Sequence, residues 1–562
     1  MSQLKDRGTV AHAEMAPDPE SMNGKGKFVV TANQSLARFQ KHQHSLTIYE
    51  ALKENYKPLL WCELRFLYIP KFNPGLTQYP TGAYMFFVCI MYGYDALVSS
   101  VVISIAQFRK DFGYLYGNEY VVGADWQLGF QAGFFAGLAL GGIAVGPVVG
   151  RFGRKWTIAG AYIINIAGVF LQYFCTTPAQ FLGSKLLTGF PLGAFATIAP
   201  TYASEMSPLA VRGAITGGMN LAIVLGNTIG YGVLREAGHY MGKATYRILF
   251  AVQWGFVGVC LAILPFLPES PYWFITHGQE DKARAILDKL HSPSYDVDGR
   301  IAEIKSALQQ ETETQQSQGS FKDCFNAQNW RRTLVAVMAF VIQNFSGMGW
   351  VVGYMSYFLQ LAGMSASRSF DMTVIISGVM VVGNMCSWFL VEYLGRRGTL
   401  LCGSSILFVS LLIIAILAVT VTSQSGLTAQ IVLMGAWGFT YQGTVGAVAW
   451  PIASENATSS LRTPTQALCT IVNALTASIW GLSLPYAVNP DQGNMQGKIG
   501  FIYAALLLLS IVFIYFFVPE TKGRTYSEID QLWELGVLPR KWSQHEIVVI
   551  ENTNTGKDAD GE

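Results

Sequence analysis

Ala203–Ala214 reads ASEMSPLAVRGA, and about 250 residues later Ala453–Pro464 reads ASENATSSLRTP. In both, a glutamate precedes an arginine by seven positions: Glu205 and Arg212, then Glu455 and Arg462. Two more strings repeat in the same order at nearly the same offset. Gly153-Arg154 recurs as Gly395-Arg396, and PESP (Pro268–Pro271) recurs as PETK (Pro519–Lys522). Three ordered matches at one offset mark a chain built from two related halves.

The sequence around these strings is apolar. Stretches near 82–105, 127–149, 157–175, 179–202, 214–234 and 246–267 lie in the first half. Those near 334–360, 370–391, 399–421, 428–452, 466–486 and 499–518 lie in the second. A helix needs about 20 residues to cross a hydrocarbon core of about 30 Å. Lipid offers no partner for unpaired backbone, and the alternating pattern of barrel strands is missing, so these twelve stretches are expected as helices. An even number of spans per half gives both halves the same orientation, the plan of transporters with two parallel repeats rocking about a midplane site.

Composition agrees. Of 562 residues, 13% are charged and 51% hydrophobic, where soluble domains carry roughly 25% charged residues. A soluble enzyme, a disordered chain and a disulfide scaffold are excluded. A net charge of +2 argues against a nucleic-acid partner. The eight cysteines form no CxxC pair and read as small apolar residues. No HExxH pattern, Walker A loop or secretory signal is found, so neither metal nor cofactor is expected.

The expected organisation is a polar N-terminal segment (1–80), a six-helix bundle (81–274), a linker (275–332), a second bundle (333–519) and a C-terminal tail (520–562). Within the linker, GQEDKARAILDKL (Gly278–Leu290) has helical apolar spacing, and Gln309 to Gln318 read as low complexity. Basic clusters follow even-numbered spans: Arg151–Lys155, Arg212, Arg396 with Arg397, and Arg462. By the positive-inside rule that side is cytoplasmic, as are both termini.

The repeated motifs all lie at that edge. Arg151, Arg154, Glu205, Arg212, Glu269, Glu392, Arg396, Arg397, Glu455, Arg462 and Glu520 are expected to form an ion-pair network there. It would latch the halves together at the inner face and release on switching. Simple anchoring by interfacial basic residues would explain the arginines, but not the acids at fixed spacing. Span two carries Gly129, Gly133, Gly137 and Gly141, a stripe for close helix packing.

Asp95 in YGYDALVSS is the sharpest single residue, with no other acid between Glu63 and Asp111. An aspartate at mid-span costs about 2.5–3.5 kcal/mol on insertion scales, so it faces a cavity or a partner. A carboxyl partly removed from water can gain and lose a proton as access alternates. Lys185, the only cation between Lys155 and Arg212, is the expected partner. Together they form a candidate proton-coupling pair; a fixed buried ion pair is the structural alternative. The candidate substrate-binding groups are Asn220, Asn227, Gln343, Asn344, Asn384, Gln442, Trp450 and Asn473. Amides donate and accept, which suits hydroxyls, and a tryptophan face can stack on a sugar ring. Any one of these amides could equally be helix–helix glue.

From about Leu46 to Trp533 the chain resembles the sugar porters of the major facilitator superfamily. The resemblance rests on GRFGRK, PESPYW (Pro268–Trp273), QNFSG (Gln343–Gly347), YLGRR and PETKGRT (Pro519–Thr525). Within that family it is most similar to fungal α-glucoside, maltose-type proton symporters, through LTIYEALKENYKPLLW (Leu46–Trp61), GYD, YASE (Tyr202–Glu205) and YRILFAVQW (Tyr246–Trp254). The resemblance implies an all-α integral membrane fold of twelve helices in two six-helix bundles. It implies sugar-facing amides at Asn220, Asn227, Gln343, Asn344 and Asn473, a stacking Trp450 and a proton-coupling Asp95. Lys185 stands where many proton-coupled porters have arginine and the α-glucoside group is typically uncharged. Asn344 replaces the second glutamine of the paired motif, Gly349 its later asparagine, and Tyr92 an acid of the α-glucoside group.

The expected function is proton symport of a neutral sugar, an α-glucoside or a hexose, by a monomer in the plasma membrane. A facilitative carrier, a sugar sensor, or a transporter of a secondary metabolite or organic acid are the alternatives. The expected partners are a small sugar, the proton and the lipid bilayer.

Overall fold

The computed structural model describes residues 81–544, apart from short gaps at 118, 207–208, 241, 291–295, 318–320, 328, 362, 421–423, 457–460, 523, 525–528 and 530–531. The expected N-terminal segment 1–80 and the last residues of the tail lie outside the described residues.

All twelve expected spans are helical. The first is Thr81–Val101, the fourth Pro178–Met206, the fifth Leu209–Ala237 and the sixth Ala244–Ile263. The eleventh is Arg462–Val488 and the twelfth Ile499–Phe517. Spans two and three run together as Ala124–Phe174, broken at Gly153, and spans eight and nine as Ala366–Thr420, broken at Gly395. Linker helices include Glu280–Leu290 and Val297–Ser317, so most of the glutamine-rich stretch ends a helix rather than forming a coil. A short antiparallel hairpin, Tyr114–Tyr116 with Glu119–Val121, lies between the first two spans.

The seventh and tenth spans differ from the continuous helices expected. The seventh is Trp330–Phe345 and Met348–Leu361, parted at Gly347 with φ 89°. The tenth is Gln424–Gly443 and Val445–Glu455, parted at Thr444. Glycines within QNFSGMG and QGTVG permit these breaks. A break inside lipid survives only where freed backbone groups find partners or line a cavity. Here the indole nitrogen of Trp437 donates to the Ser346 carbonyl at 3.1 Å.

The glycine stripe of span two acts as expected. A Cβ at Gly141 would lie 1.9 Å from the Phe190 carbonyl oxygen, and one at Gly193 would lie 2.0 Å from that of Leu138. Spans two and four thus pack backbone to backbone.

The duplicated motifs fold into duplicated geometry. Gly153 and Gly395 take φ 85° and 78° with ψ near 175°, a region essentially restricted to glycine. Glu269 accepts from the backbone N–H of Arg154 at 2.8 Å and of Lys155 at 3.1 Å. Glu520 accepts from Arg396 and Arg397 at the same two distances. The hydroxyls of Thr157 and Thr399 each donate at 2.6 Å to the carbonyl of the turn glycine. A Cβ at Gly395 would come within 2.5 Å of the Glu520 carboxylate. Gly395→Ala should therefore cost about 1–3 kcal/mol, lowering the thermal unfolding midpoint of the detergent-solubilised protein. An unchanged midpoint would refute this account of the turn.

Candidate transport site and gates

Around each glycine turn, acids and arginines close a corner. Arg154 pairs with Glu205 at 2.6 Å, and Ser270 donates to the same glutamate at 2.5 Å. In the second half Arg396 pairs with Glu455 at 2.9 Å, and Thr521 donates to it at 2.5 Å. Arg397 donates to the Tyr515 carbonyl, Arg151 lies beside the Phe152 ring, and Glu392 is exposed. The side chains of Arg212 and Arg462 lie outside the described residues. Among the described residues, every ion pair at this motif end stays within its own half. Among the described residues, no ion pair of the expected latch joins the two halves.

The halves meet instead at the opposite end of the spans. Gln127 donates to Asn489 at 2.9 Å, and Asn489 donates to the Val122 carbonyl at 2.9 Å. Tyr114 donates to Asp491 and Tyr486 to Asp125, both at 2.5 Å. Arg109 donates to Gln360 at 3.3 Å and lies over the Tyr357 ring, and Arg235 pairs with Asp371. Toward mid-depth, Tyr231 donates to the Val352 carbonyl. Among the described residues, polar contacts between the halves are made at this end and no ion pair joins them at the motif end. None of these fasteners was among the expected site residues. Arg109, Tyr114, Asp125 and Asp491 sit in connections or at helix ends, where polar residues are ordinary, and only cross-chain distance distinguishes them.

Several expected site residues gather on the seventh, tenth and eleventh spans. Asn344 donates to Asn473 at 2.8 Å and to the Phe340 carbonyl at 3.0 Å. Gln343 donates to the Gly446 carbonyl at 3.3 Å. Trp450, one turn beyond Gly446, meets Phe340 edge to face at 4.8 Å and remains 50% exposed. This patch of amides with an open indole is built around the broken helices.

Asn384 and Gln442 do not share that exposure. Asn384 donates to Gln442 at 3.4 Å, and both are buried. Their packing between spans eight and ten is that of interhelical glue. Asn220 and Asn227 are half-buried on span five and make no hydrogen bond with described residues. Next to Asn227, Thr228 donates across the halves to the Ser377 carbonyl at 3.5 Å.

Trp350, Tyr354, Trp480 and Tyr503 were not expected as site residues. The Trp480 and Tyr503 rings lie 4.6 Å apart, with Trp350 stacked on Tyr503 at 6.4 Å. The ring N–H or O–H of each is buried without a partner. In sequence they look like core aromatics, and only their unsatisfied polar tips single them out.

Asp95 is buried on span one, 4% exposed. Asn165 donates to its Oδ2 at 3.4 Å, and Oδ1 meets no donor. Lys185 is buried on span four but forms no direct ion pair with it. The ammonium donates to Ser99 Oγ at 3.0 Å and sits 4.7 Å from the Phe181 ring centre. Ser99 donates in turn to the Asp95 backbone carbonyl at 3.0 Å. The expected pair is therefore a near neighbourhood bridged by a hydroxyl.

Two helical halves with paired corner motifs, broken spans at mid-depth and a closable mouth define a multi-pass membrane transporter. The chain belongs to the sugar (and other) transporter family, whose profile matches residues 83–533. A general alpha-glucoside permease of Saccharomyces cerevisiae is 30% identical over 86% of this chain and 80% of its own length. The MFS transporter fmqE of Aspergillus fumigatus is 29% identical over 92% of this chain and 94% of its own. Among solved structures, the inward open xylose transporter XylE from E. coli superimposes with a TM-score of 0.66. It is 20% identical and covers 80% of this chain and 99% of its own. Relatives and family are transporters, and the protein is not an enzyme.

Asn489 makes two of the cross-half hydrogen bonds, so Asn489→Ala should loosen the closed mouth. A Cβ at Gly353 would lie 3.5 Å from the Ser100 Cβ across the halves. A cysteine placed at Ser100 should then react several-fold faster with maleimide in detergent when Asn489 is alanine. Equal rates would mean that this end is not fastened as described.

Proposed function

We propose that this protein imports a neutral sugar of the α-glucoside class by proton symport, with alternating access between the two halves. The observation that carries the coupling is Asp95, a buried carboxylate on span one with one amide donor, one open oxygen and no direct ion pair. A carboxylate fixed in a tight salt bridge would resist protonation; Asp95 is free of that restraint. Lys185, held one turn away by Ser99, favours loss of the proton once the site opens to the low-proton side. A membrane potential of 100 mV supplies about 2.3 kcal/mol per charge, enough for about fifty-fold accumulation.

The sugar reading is supported by the Gln343, Asn344, Asn473 and Trp450 patch and by relatives named as α-glucoside permeases. Amides offer paired donors and acceptors to vicinal hydroxyls, and the half-exposed indole offers a flat apolar face. A different cargo is favoured by one observation, the near full-length similarity to a transporter not named for a sugar. In our reading the motif end is cytoplasmic, since its arginines obey the positive-inside rule. The described arrangement is then the inward-facing one, in the plasma membrane, as a monomer among lipids.

Asp95→Asn should abolish uphill uptake of labelled maltose into proteoliposomes while sparing sugar exchange; persistent uphill uptake would defeat the coupling role. Asn473→Ala should weaken maltose affinity about ten-fold, the scale of one hydrogen bond lost at a binding site. Asn384→Ala should instead lower thermal stability and leave affinity within about three-fold. The opposite pattern would exchange their assignments.

A further inference from the structure

Buried amides inside the first half carry polar atoms that the site described above does not use. Asn165 and Gln172 lie on span three and Gln253 on span six, each at most 2% exposed. Asn165 Oδ1, both polar atoms of Gln172 and Gln253 Oε1 meet no protein partner. Asp95 Oδ1 and Arg247 Nε are in the same condition. Buried polar groups are almost always hydrogen-bonded, to protein or to ordered water.

Packing puts these groups in sequence along the bundle. A Cβ at Gly168 would lie 3.0 Å from the Thr188 nitrogen, so Gln172, one turn on, is level with Ser184 and Lys185. Trp254 donates to the Ile166 carbonyl at 3.5 Å, which sets Gln253 between the levels of Asn165 and Gln172. Lys185 reaches Ser99, one turn beyond Asp95. Above Gln172, Cys175 Sγ donates to its carbonyl at 3.0 Å and lies within electrostatic reach of Lys185, Arg247 and Lys243. Unsatisfied donors and acceptors on three spans thus lead from Asp95 toward the fastened mouth.

We propose that the first half holds a file of bound water, coordinated by Asn165, Gln253 and Gln172, along which Asp95 receives its proton apart from the sugar passage. A buried water makes about three hydrogen bonds. Here the waters of the file accept from Gln172 Nε2 and, each giving at most two O–H bonds, donate between them to the open oxygens of Gln172, Gln253, Asn165 and Asp95. At the inner end, a hydronium O–H bond breaks as an O–H bond forms on Asp95 Oδ1, leaving neutral water and a neutral carboxyl. The charged or titratable groups facing Asp95 are Lys185 on span four, Cys260 on span six and its neighbour Tyr94. Spans three, five and seven present none to it among the described residues.

The proposal rests on the symport reading and is tested separately from it. Full-length protein in lipid nanodiscs is exposed to X-ray-generated hydroxyl radicals. Phe181, fully buried beside Lys185, should be oxidised in the wild type, and at least five-fold less in Gln172→Leu/Gln253→Leu. An unlabelled Phe181 in the wild type overturns the proposal whatever the variants do. In proteoliposomes the double variant should slow proton-driven maltose uptake at least ten-fold across external pH 5–8, while maltose counterflow at equal pH stays within two-fold. Driven uptake at the wild-type rate overturns the file, and Asp95→Asn abolishing it alongside leaves symport standing. If the wild type shows no driven uptake, the symport reading falls and the labelling alone judges the water.

Discussion

Inside hydrocarbon a backbone amide has no water to turn to, so every N–H and C=O must be paired by the chain itself. That constraint makes each crossing a helix and gives unusual weight to the places where a helix stops. Turns at Gly153 and Gly395 are permitted because Glu269 and Glu520 accept the N–H groups that each turn frees. The break at Gly347 is permitted because Trp437 caps the Ser346 carbonyl. Packing and the proposed cargo site are built on these exceptions.

Much of this was legible in the residues. Apolar length fixes all twelve spans, and the recurrence of Gly-Arg, Glu…Arg and Pro-Glu reveals the two halves. The acids and arginines of those motifs were expected as one network, and two of its pairs, Arg154 with Glu205 and Arg396 with Glu455, are made among the described residues. A glutamate seven residues before an arginine does not say which group it meets; Arg154 reaches Glu205 from a different loop. Sequence distance carries no information about which loops the fold brings together, so a network within each half reads the same as one between halves.

The candidate substrate groups divide for the same reason. Asn344 and Asn473 meet on the open patch, while Asn384 donates to Gln442 in the interior. All four are amides within apolar helices, and nothing local separates a ligand-facing amide from a glue amide. Asn165, Gln172 and Gln253 escaped notice because neutral amides scattered through long spans carry no charge to mark them. What they share is a buried polar atom without a protein partner, a property of three dimensions alone.

The twin corners also bear on how the protein could be assembled. Each half carries its own glycine turn, its own capping acid and its own arginine clasp. Cut within the linker and made as two polypeptides, the pieces would each bring a complete fastening of their own. Their reunion would then depend on the far mouth, where Asn489 and its neighbours do the joining.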